Sequence, residues 1–136
     1  MSKKINWLDN CVIRSNYSIS LCTTKKLYNQ IIKSGKIERP FDWPESGAAL
    51  HTFCCNRGQQ LHVVCINAAF ERTENEAKAL LVHEATHMAQ SIFEDMAEKK
   101  ASPEFEAYAI QRLSLVLFDE YDRQTKKKKA CTTKSK

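Results

Sequence analysis

The second half of the chain has the residue pattern of two consecutive helices. Residues 77 to about 98 contain no Gly or Pro and are rich in helix-forming residues. They follow Thr73-Glu74-Asn75-Glu76, a capping box in which the side chains of Thr73 and Glu76 accept hydrogen bonds from each other's backbone N–H groups. A second helix is predicted from Glu104 to about Tyr121, with Ser102 as its N-cap and Pro103 at its first position.

The first half predicts one further helix and a β-hairpin. Residues 23–35 begin with a Thr cap, carry their apolar side chains on one face and end at Gly35, as an amphipathic helix does. Two apolar runs, 48–55 and 61–67, flank a turn-forming cluster that contains Gly58, which is typical of a hairpin. Residues 6–19 are expected to be extended or irregular. The order of helix, hairpin, long helix and helix predicts an α+β fold.

The length of 136 residues suits one domain, and the net charge of +5 is concentrated at one end. Residues 122–136 carry seven basic residues and one acidic residue, so the rest of the chain is almost neutral. The distribution of charge and apolar residues predicts a folded domain over residues 1–121 and a basic, disordered tail over 122–136. Such a tail is expected to make at most weak electrostatic contacts with a polyanion, and otherwise to be solvated.

Cysteine usage and hydropathy indicate a cytoplasmic protein. Purely apolar stretches reach only four residues, whereas a membrane-spanning helix needs roughly 20. The N-terminus has no apolar segment typical of a signal peptide. The six cysteines include no C-x-x-C pair, so reduced thiols are expected and no membrane partner is predicted.

The predicted long helix contains the motif His83-Glu84-Ala85-Thr86-His87. Residues four apart on a helix lie on the same side, about 6 Å apart along the axis, so both imidazoles reach one metal ion. Glu84 then lies beside the ion and is placed to take a proton from a bound water as a general base. Imidazole and carboxylate ligands favour Zn²⁺. The alternative is a surface helix with two solvated histidines.

A catalytic zinc ion needs a third protein ligand and one open position. No His follows His87, so the third ligand is expected from the start of the next helix, where Glu104 and Glu106 stand. These two residues are about 200° apart around a helix, so only one of them faces the ion. A Glu ligand from a following helix is the arrangement of the gluzincins.

Residues 81–90, followed by 104–111, resemble the small metallopeptidases encoded by phages and prophages, and the resemblance extends over about residues 61–118. The element Glu104-Phe105-Glu106-Ala107-Tyr108 is similar to the E-x-x-A-D of membrane-associated gluzincins, in which the Glu binds zinc and the Asp braces a His ligand. The resemblance implies that Glu104 is the third ligand, and Tyr108 stands where the bracing Asp would be. Glu106 stays the rival, because other gluzincins place the Glu directly before Ala.

These observations predict a zincin-like metallopeptidase in which a small β-hairpin or sheet packs against the active-site helix and a following ligand-bearing helix. Zn²⁺ would be held by His83, His87 and Glu104, and Glu84 would act as the base in the hydrolysis of a peptide or protein substrate. The strand Leu61 to Ile66 is expected to form the edge along which the substrate pairs. The alternative function is a catalytically silent zinc-binding module, a phage accessory protein that contacts its partner through the basic tail.

Overall fold

The computed structural model describes residues 5–8, 17–54, 60–95 and 102–125, and it has an α+β fold with one three-stranded sheet and three helices. In chain order the elements are β1 (Tyr17–Cys22), α1 (Lys25–Ser34), β2 (Ala48–Cys54), β3 (Gln60–Ile66), α2 (Glu74–Asp95) and α3 (Pro103–Thr125). The predicted α+β class is confirmed. None of the helices in these ranges is long and apolar enough to cross a membrane.

The strand order is β1-β3-β2, so β3 lies in the centre of the sheet. β2 and β3 form the predicted antiparallel hairpin, and β1 pairs with β3 in parallel. The expectation that Leu61 to Ile66 forms a free edge is therefore wrong, because strands on both sides already satisfy the backbone of β3. The strand that offers a free edge on the hairpin side is β2.

Successive side chains of β3 point to opposite faces of the sheet and belong to two separate hydrophobic clusters. Val64 and Ile66 pack with apolar residues of α2 and α3, among them Leu81, Met88 and Leu113. The alternating residues of β3 on the other face pack with α1 through a second buried cluster, Leu27, Tyr28, Ile31, Leu61, Val63 and Cys65. The sheet is thus covered by α1 on one face and by α2 and α3 on the other.

The predicted helix starts are confirmed in atomic detail. The hydroxyl of Thr24 accepts a hydrogen bond from the backbone N–H of Leu27 at 3.2 Å. At the start of α2, the backbone N–H of Thr73 donates to the carboxylate of Glu76 at 2.7 Å, and the N–H of Glu76 donates to the Thr73 hydroxyl at 3.1 Å. At the start of α3, the hydroxyl of Ser102 accepts a hydrogen bond from the backbone N–H of Phe105 at 3.2 Å. The caps at Thr73 and Ser102 determine the first residues of α2 and α3. The position of the His83–His87 motif along α2 follows from the first of them.

The helix α3 continues four residues past its expected end, because its last turn is bonded to β1. The side-chain amide of Gln124 donates to the carbonyl of Leu21 at 2.8 Å, and its carbonyl oxygen accepts from the hydroxyl of Thr23 at 2.7 Å. The domain boundary predicted at residue 121 therefore lies inside the helix. The rest of the predicted tail, 126–136, lies outside the described residues.

Glu120 is the acidic residue at the centre of this junction and is only 4% exposed. Burial by itself raises the pKa of a carboxyl group. Hydrogen bonds from Arg123, Gln124 and Asn6 outweigh burial here and hold the pKa of Glu120 below its ordinary value. The carboxylate thus joins both ends of the described chain while it is ionised.

Replacing Glu120 with Gln is expected to lower the free energy of unfolding at pH 7 by about 2 kcal/mol, the magnitude of a hydrogen bond to a charged group. Because the pKa is lower in the folded protein, the carboxylate stabilises the fold above the pKa of the unfolded chain. That stability is lost as the pH falls through the folded pKa. Urea unfolding should therefore show a difference at pH 7 that shrinks as the pH falls through the folded pKa of Glu120. The exposed neighbour Asp119, changed to Asn, is the control; parallel loss of stability by wild type and Glu120→Gln would contradict this role.

A buried polar cluster lies under α1, on the sheet face opposite to α2. The Sγ atoms of Cys22 and Cys65 are 3.8 Å apart as free thiols, and Nδ1 of His51 lies 3.1 Å from the hydroxyl of Tyr28. Burial raises the pKa of Tyr28 to about 12 and lowers the pKa of His51. The expectation of reduced thiols is thus met by Cys22 and Cys65, and both titrating rings in this cluster are held in their neutral forms.

Candidate functional site

The two motif histidines lie one turn apart on the exposed side of α2 and face each other. The Nε2 atoms of His83 and His87 are 3.1 Å apart, and the ring centroids are 4.6 Å apart with the rings nearly perpendicular. The residues around them on the other side of the helix, Leu81, Ala85 and Met88, are completely buried. The helix is therefore held in place by its apolar side while the imidazoles converge on one point near the surface.

The geometry of the imidazole pair fits a shared metal ion. Two nitrogen ligands of a tetrahedral zinc ion, each bound at about 2.05 Å, lie about 3.3 Å apart. The observed separation of 3.1 Å is close to this value, and both rings present the same nitrogen. Without a metal ion, the same distance is a hydrogen bond between the two rings, whose direction depends on the tautomers. The donor set available at this position is thus two imidazoles with open space on the solvent side.

Glu84 differs from the histidines because its side chain turns inward and is only 5% exposed. Burial raises the pKa of this carboxyl above its ordinary value. Two other influences oppose that rise: the nearby imidazoles of His83 and His87, and a hydrogen bond from the backbone of Leu50. Leu50 belongs to β2, so the carboxylate connects the motif helix directly to the edge strand. A desolvated carboxylate beside two imidazoles is a suitable proton acceptor.

The position of the predicted third ligand follows from how α2 and α3 pack. The rings of Phe93 and Phe105 are 5.3 Å apart, so Glu104 lies near the level of Glu94. This level is about 10 Å along α2 from His87. Both Glu104 and its rival Glu106 are exposed in the first turn of α3.

Within the described ranges, no three His, Cys, Asp or Glu side chains lie close enough together to hold a metal ion. The structure thus brings His83, His87 and Glu84 together and does not bring Glu104 or Glu106 beside them. Tyr108, which stands where a bracing Asp was expected, is 53% exposed. The connection between α2 and α3, residues 96–101, lies outside the described part of the chain. The identity of the third ligand stays a prediction.

A pocket of about 580 Å³ opens next to His83 and Glu84. Its walls come from the start of β2 (residues 47–48), from the loop before α2 (residues 70–72) and from the side of α2 that precedes His83. We call it the His83 pocket. Its volume lies within the range of pockets that bind small ligands.

The motif alone predicted that His83, Glu84 and His87 form a candidate site, whereas the residues that surround them were not predicted. The backbone of Leu50 and the walls of the His83 pocket come from segments that contain no catalytic motif. These segments reach the site only through tertiary contacts, which the sequence does not reveal. One signal was present in the sequence. Ala79, His83 and His87 follow each other at intervals of four, which places a small side chain on the same side of the helix as the imidazoles.

Comparisons of the chain with models of protein families, with curated proteins and with solved structures found no match. A function for this protein therefore has to be inferred from the chemistry of the site itself.

Proposed function

We propose that this protein is a zinc-dependent metallopeptidase of the zincin type. The observation that carries the proposal is the meeting of three features: two imidazole nitrogens 3.1 Å apart, a buried carboxylate between them in sequence, and an edge strand that bonds to this carboxylate. A surface helix can have two hydrogen-bonded histidines, but it does not require a buried carboxylate beside them. A zinc-binding module without activity needs the imidazole pair, but it has no use for a buried carboxylate that costs desolvation energy.

His83 and His87 would hold the zinc ion, with Glu104 as the predicted third ligand. When bound, zinc supplies a Lewis acid that polarises a peptide carbonyl and lowers the pKa of water towards 7. Glu84 accepts the proton of the attacking water and returns it to the leaving amine, so that the carboxylate is regenerated in each cycle. The raised pKa of Glu84 brings its basicity closer to neutral pH, where proton transfer of this kind is most efficient.

The peptide substrate would bind along the free edge of β2. Among the residues that the structure describes, β2 pairs only with β3, so its other side would offer main-chain hydrogen bonds to an extended peptide. The backbone hydrogen bond from Leu50 to the Glu84 carboxylate supports a position for the proposed base beside this strand. A peptide paired with β2 would therefore pass close to the carboxylate of Glu84 and to the imidazoles beside it.

The test of this proposal is the hydrolysis of a mixed peptide library by protein loaded with one equivalent of zinc. We expect cleavage at internal peptide bonds, loss of cleavage when a chelator removes the metal, and recovery when zinc is added back. Mass spectrometry of the products measures each step. A protein that holds one zinc per chain and cleaves no peptide would contradict the proposal.

A further inference from the structure

The outer side of α1 is basic. Residues 23–37 contain four lysines and no acidic residue, although the chain outside the predicted tail is almost neutral. Lys25, Asn29 and Lys33 follow each other at intervals of four, so they lie on one side of the helix, and all three are exposed. The opposite side of α1 is buried against the sheet. The lysines of α1 therefore extend into solvent.

The charges of the protein are separated across the sheet. Residues 25–42 hold five basic and two acidic residues, whereas α2 and α3 together hold ten acidic and three basic ones. The ion pairs found among the described residues, Lys78–Glu74 and Arg123–Glu120, lie in α2 and α3 and include none of the cations of the α1 side. A polyanion is the kind of partner that fits an excess of unpaired cations.

A large aromatic ring is exposed beside these cations. Phe41 lies two residues after Arg39 and is 55% exposed, more than any other large apolar side chain in the described part of the chain. Its ring stacks on Phe53 with the centroids 5.5 Å apart and lies 5.0 Å from the ring of His51. The hydroxyl of Tyr28 in α1 donates a hydrogen bond to the carbonyl of Phe41 at 2.7 Å. The ring is thus supported on one side, held next to α1 and open on its other side.

Cations beside a supported, exposed ring are the features with which proteins bind single-stranded nucleic acid of any sequence. Lysine and arginine neutralise the phosphates, and a base stacks on the ring because every base has a flat π-face. An anionic membrane would instead favour large apolar side chains between the lysines of the helix, and the exposed positions of α1 are all polar. An acidic protein would use the cations but gain little from the open ring.

We propose that the outer side of α1 and the segment after it bind single-stranded nucleic acid, with the cations on the phosphates and one base stacked on Phe41. We call this site the α1 surface; it comprises Lys25, Lys26, Lys33, Lys36, Arg39 and Phe41. The proposal goes beyond the peptidase activity and does not depend on it. Because α1 covers the sheet face opposite to α2, the α1 surface and the imidazole pair can be occupied at the same time.

The electrostatic part is tested by fluorescence anisotropy of a labelled oligothymidylate of about 12 nucleotides, a length within the site sizes of single-strand binding modules. The full chain is titrated at several salt concentrations. Lys25→Gln/Lys33→Gln should make the slope of log K against log salt concentration shallower by about 1.4, because each neutralised phosphate of a single strand contributes about 0.7. The matched control, Lys78→Gln/Arg112→Gln, removes two charges from α2 and α3 and should leave the slope unchanged.

The stacking part is tested by Phe41→Leu, which should weaken binding of the oligothymidylate about fivefold to a hundredfold, the range for loss of one base–aromatic stack. The same change should not affect binding of a strand of equal length that lacks the bases. Phe70→Leu is the control, because Phe70 is 48% exposed but lies beside α2 on the other face of the sheet. Circular dichroism should show all variants folded.

Several results would overturn the proposal. One is binding of polyglutamate or of anionic vesicles as tight as that of the oligothymidylate, which would assign the cations to a different class of partner. Another is an equal effect of Phe41→Leu on strands with and without bases. The third concerns the predicted tail: if changing Lys126 to Lys129 to Gln abolishes binding while Lys25→Gln/Lys33→Gln has no effect, the α1 surface is not the site.

Discussion

Glu84→Gln is expected to reduce the rate of peptide hydrolysis by a factor of about 10² to 10⁴, the range attributed to a positioned general base. The amide has nearly the same shape as the carboxylate and cannot accept the proton of the attacking water. Because Glu84 is not one of the proposed ligands, the zinc content should stay at one ion per chain. Steady-state kinetics on a single cleaved peptide, together with elemental analysis, checks both outcomes.

The same variant should not be less stable than the wild type. Since burial raises the pKa of Glu84 in the folded protein, the ionised carboxylate costs stability at neutral pH, and Gln removes that cost. We therefore expect an equal or higher melting temperature. Glu94→Gln, at an exposed position of the same helix, is the control and should change neither rate nor stability. Full activity of Glu84→Gln would rule out the proposed role of this carboxylate.

His87→Ala is expected to weaken zinc binding by more than about a hundredfold, because even the loss of a partner behind a ligand commonly costs 10-fold to 100-fold in affinity. Removal of one imidazole leaves the Nε2 of His83 without the second nitrogen, 3.1 Å away, that makes the pair bidentate. His87 is exposed, so the fold should not be affected. Competition with a chromogenic zinc chelator measures the affinity, and Gln90→Ala on the same helix is the control.

The competition assay also decides between the two candidates for the third ligand. If Glu104 reaches the ion, Glu104→Ala weakens binding to a degree similar to His87→Ala, and Glu106→Ala has little effect. The positions of these residues, near the level of Glu94 on α2, mean that the start of α3 has to approach the imidazoles for either one to bind. Unchanged affinity in both variants would remove both glutamates from the ligand set. Unchanged affinity in His87→Ala would contradict the metal site as a whole.

Local signals predicted the helices well, whereas long-range pairing could not be predicted. The capping box at Thr73 and the Ser102-Pro103 start act over a few residues, and the structure confirms both. Residues 6–19, which include the start of β1, are predicted to be extended or irregular because their apolar residues have no clear helical spacing. Ser20 is in fact completely buried, and the strand is stabilised by parallel pairing with β3, some forty residues away. Strand order depends on such contacts, which explains why β3 was mistaken for the free edge.

The candidate site likewise has features that depend on local spacing and features that depend on tertiary packing. The spacing of His83, Glu84 and His87 follows from helical geometry, so their relative positions could be predicted from the sequence alone. The burial of Glu84 depends on where β2 lies, and the distance from the imidazoles to Glu104 depends on how α3 packs on α2. The burial of Glu84 and the distance to Glu104 both depend on tertiary packing, and a short motif contains no information about such packing.

The bonds between Gln124 and β1 also have a consequence for the synthesis of the protein. They join residues 101 and 103 positions apart, so β1 leaves the ribosome long before its last partner is made. At a translation rate of about 5–20 residues per second, this delay is about 5–20 s. The central strand β3 is complete some forty residues after β1, but the end of α3 that bonds to Leu21 and Thr23 is absent until the close of that interval. Chains that stall before Gln124 should therefore be recognised by chaperones and proteases as incomplete, and the sheet that supports α2 is finished only when translation is nearly over.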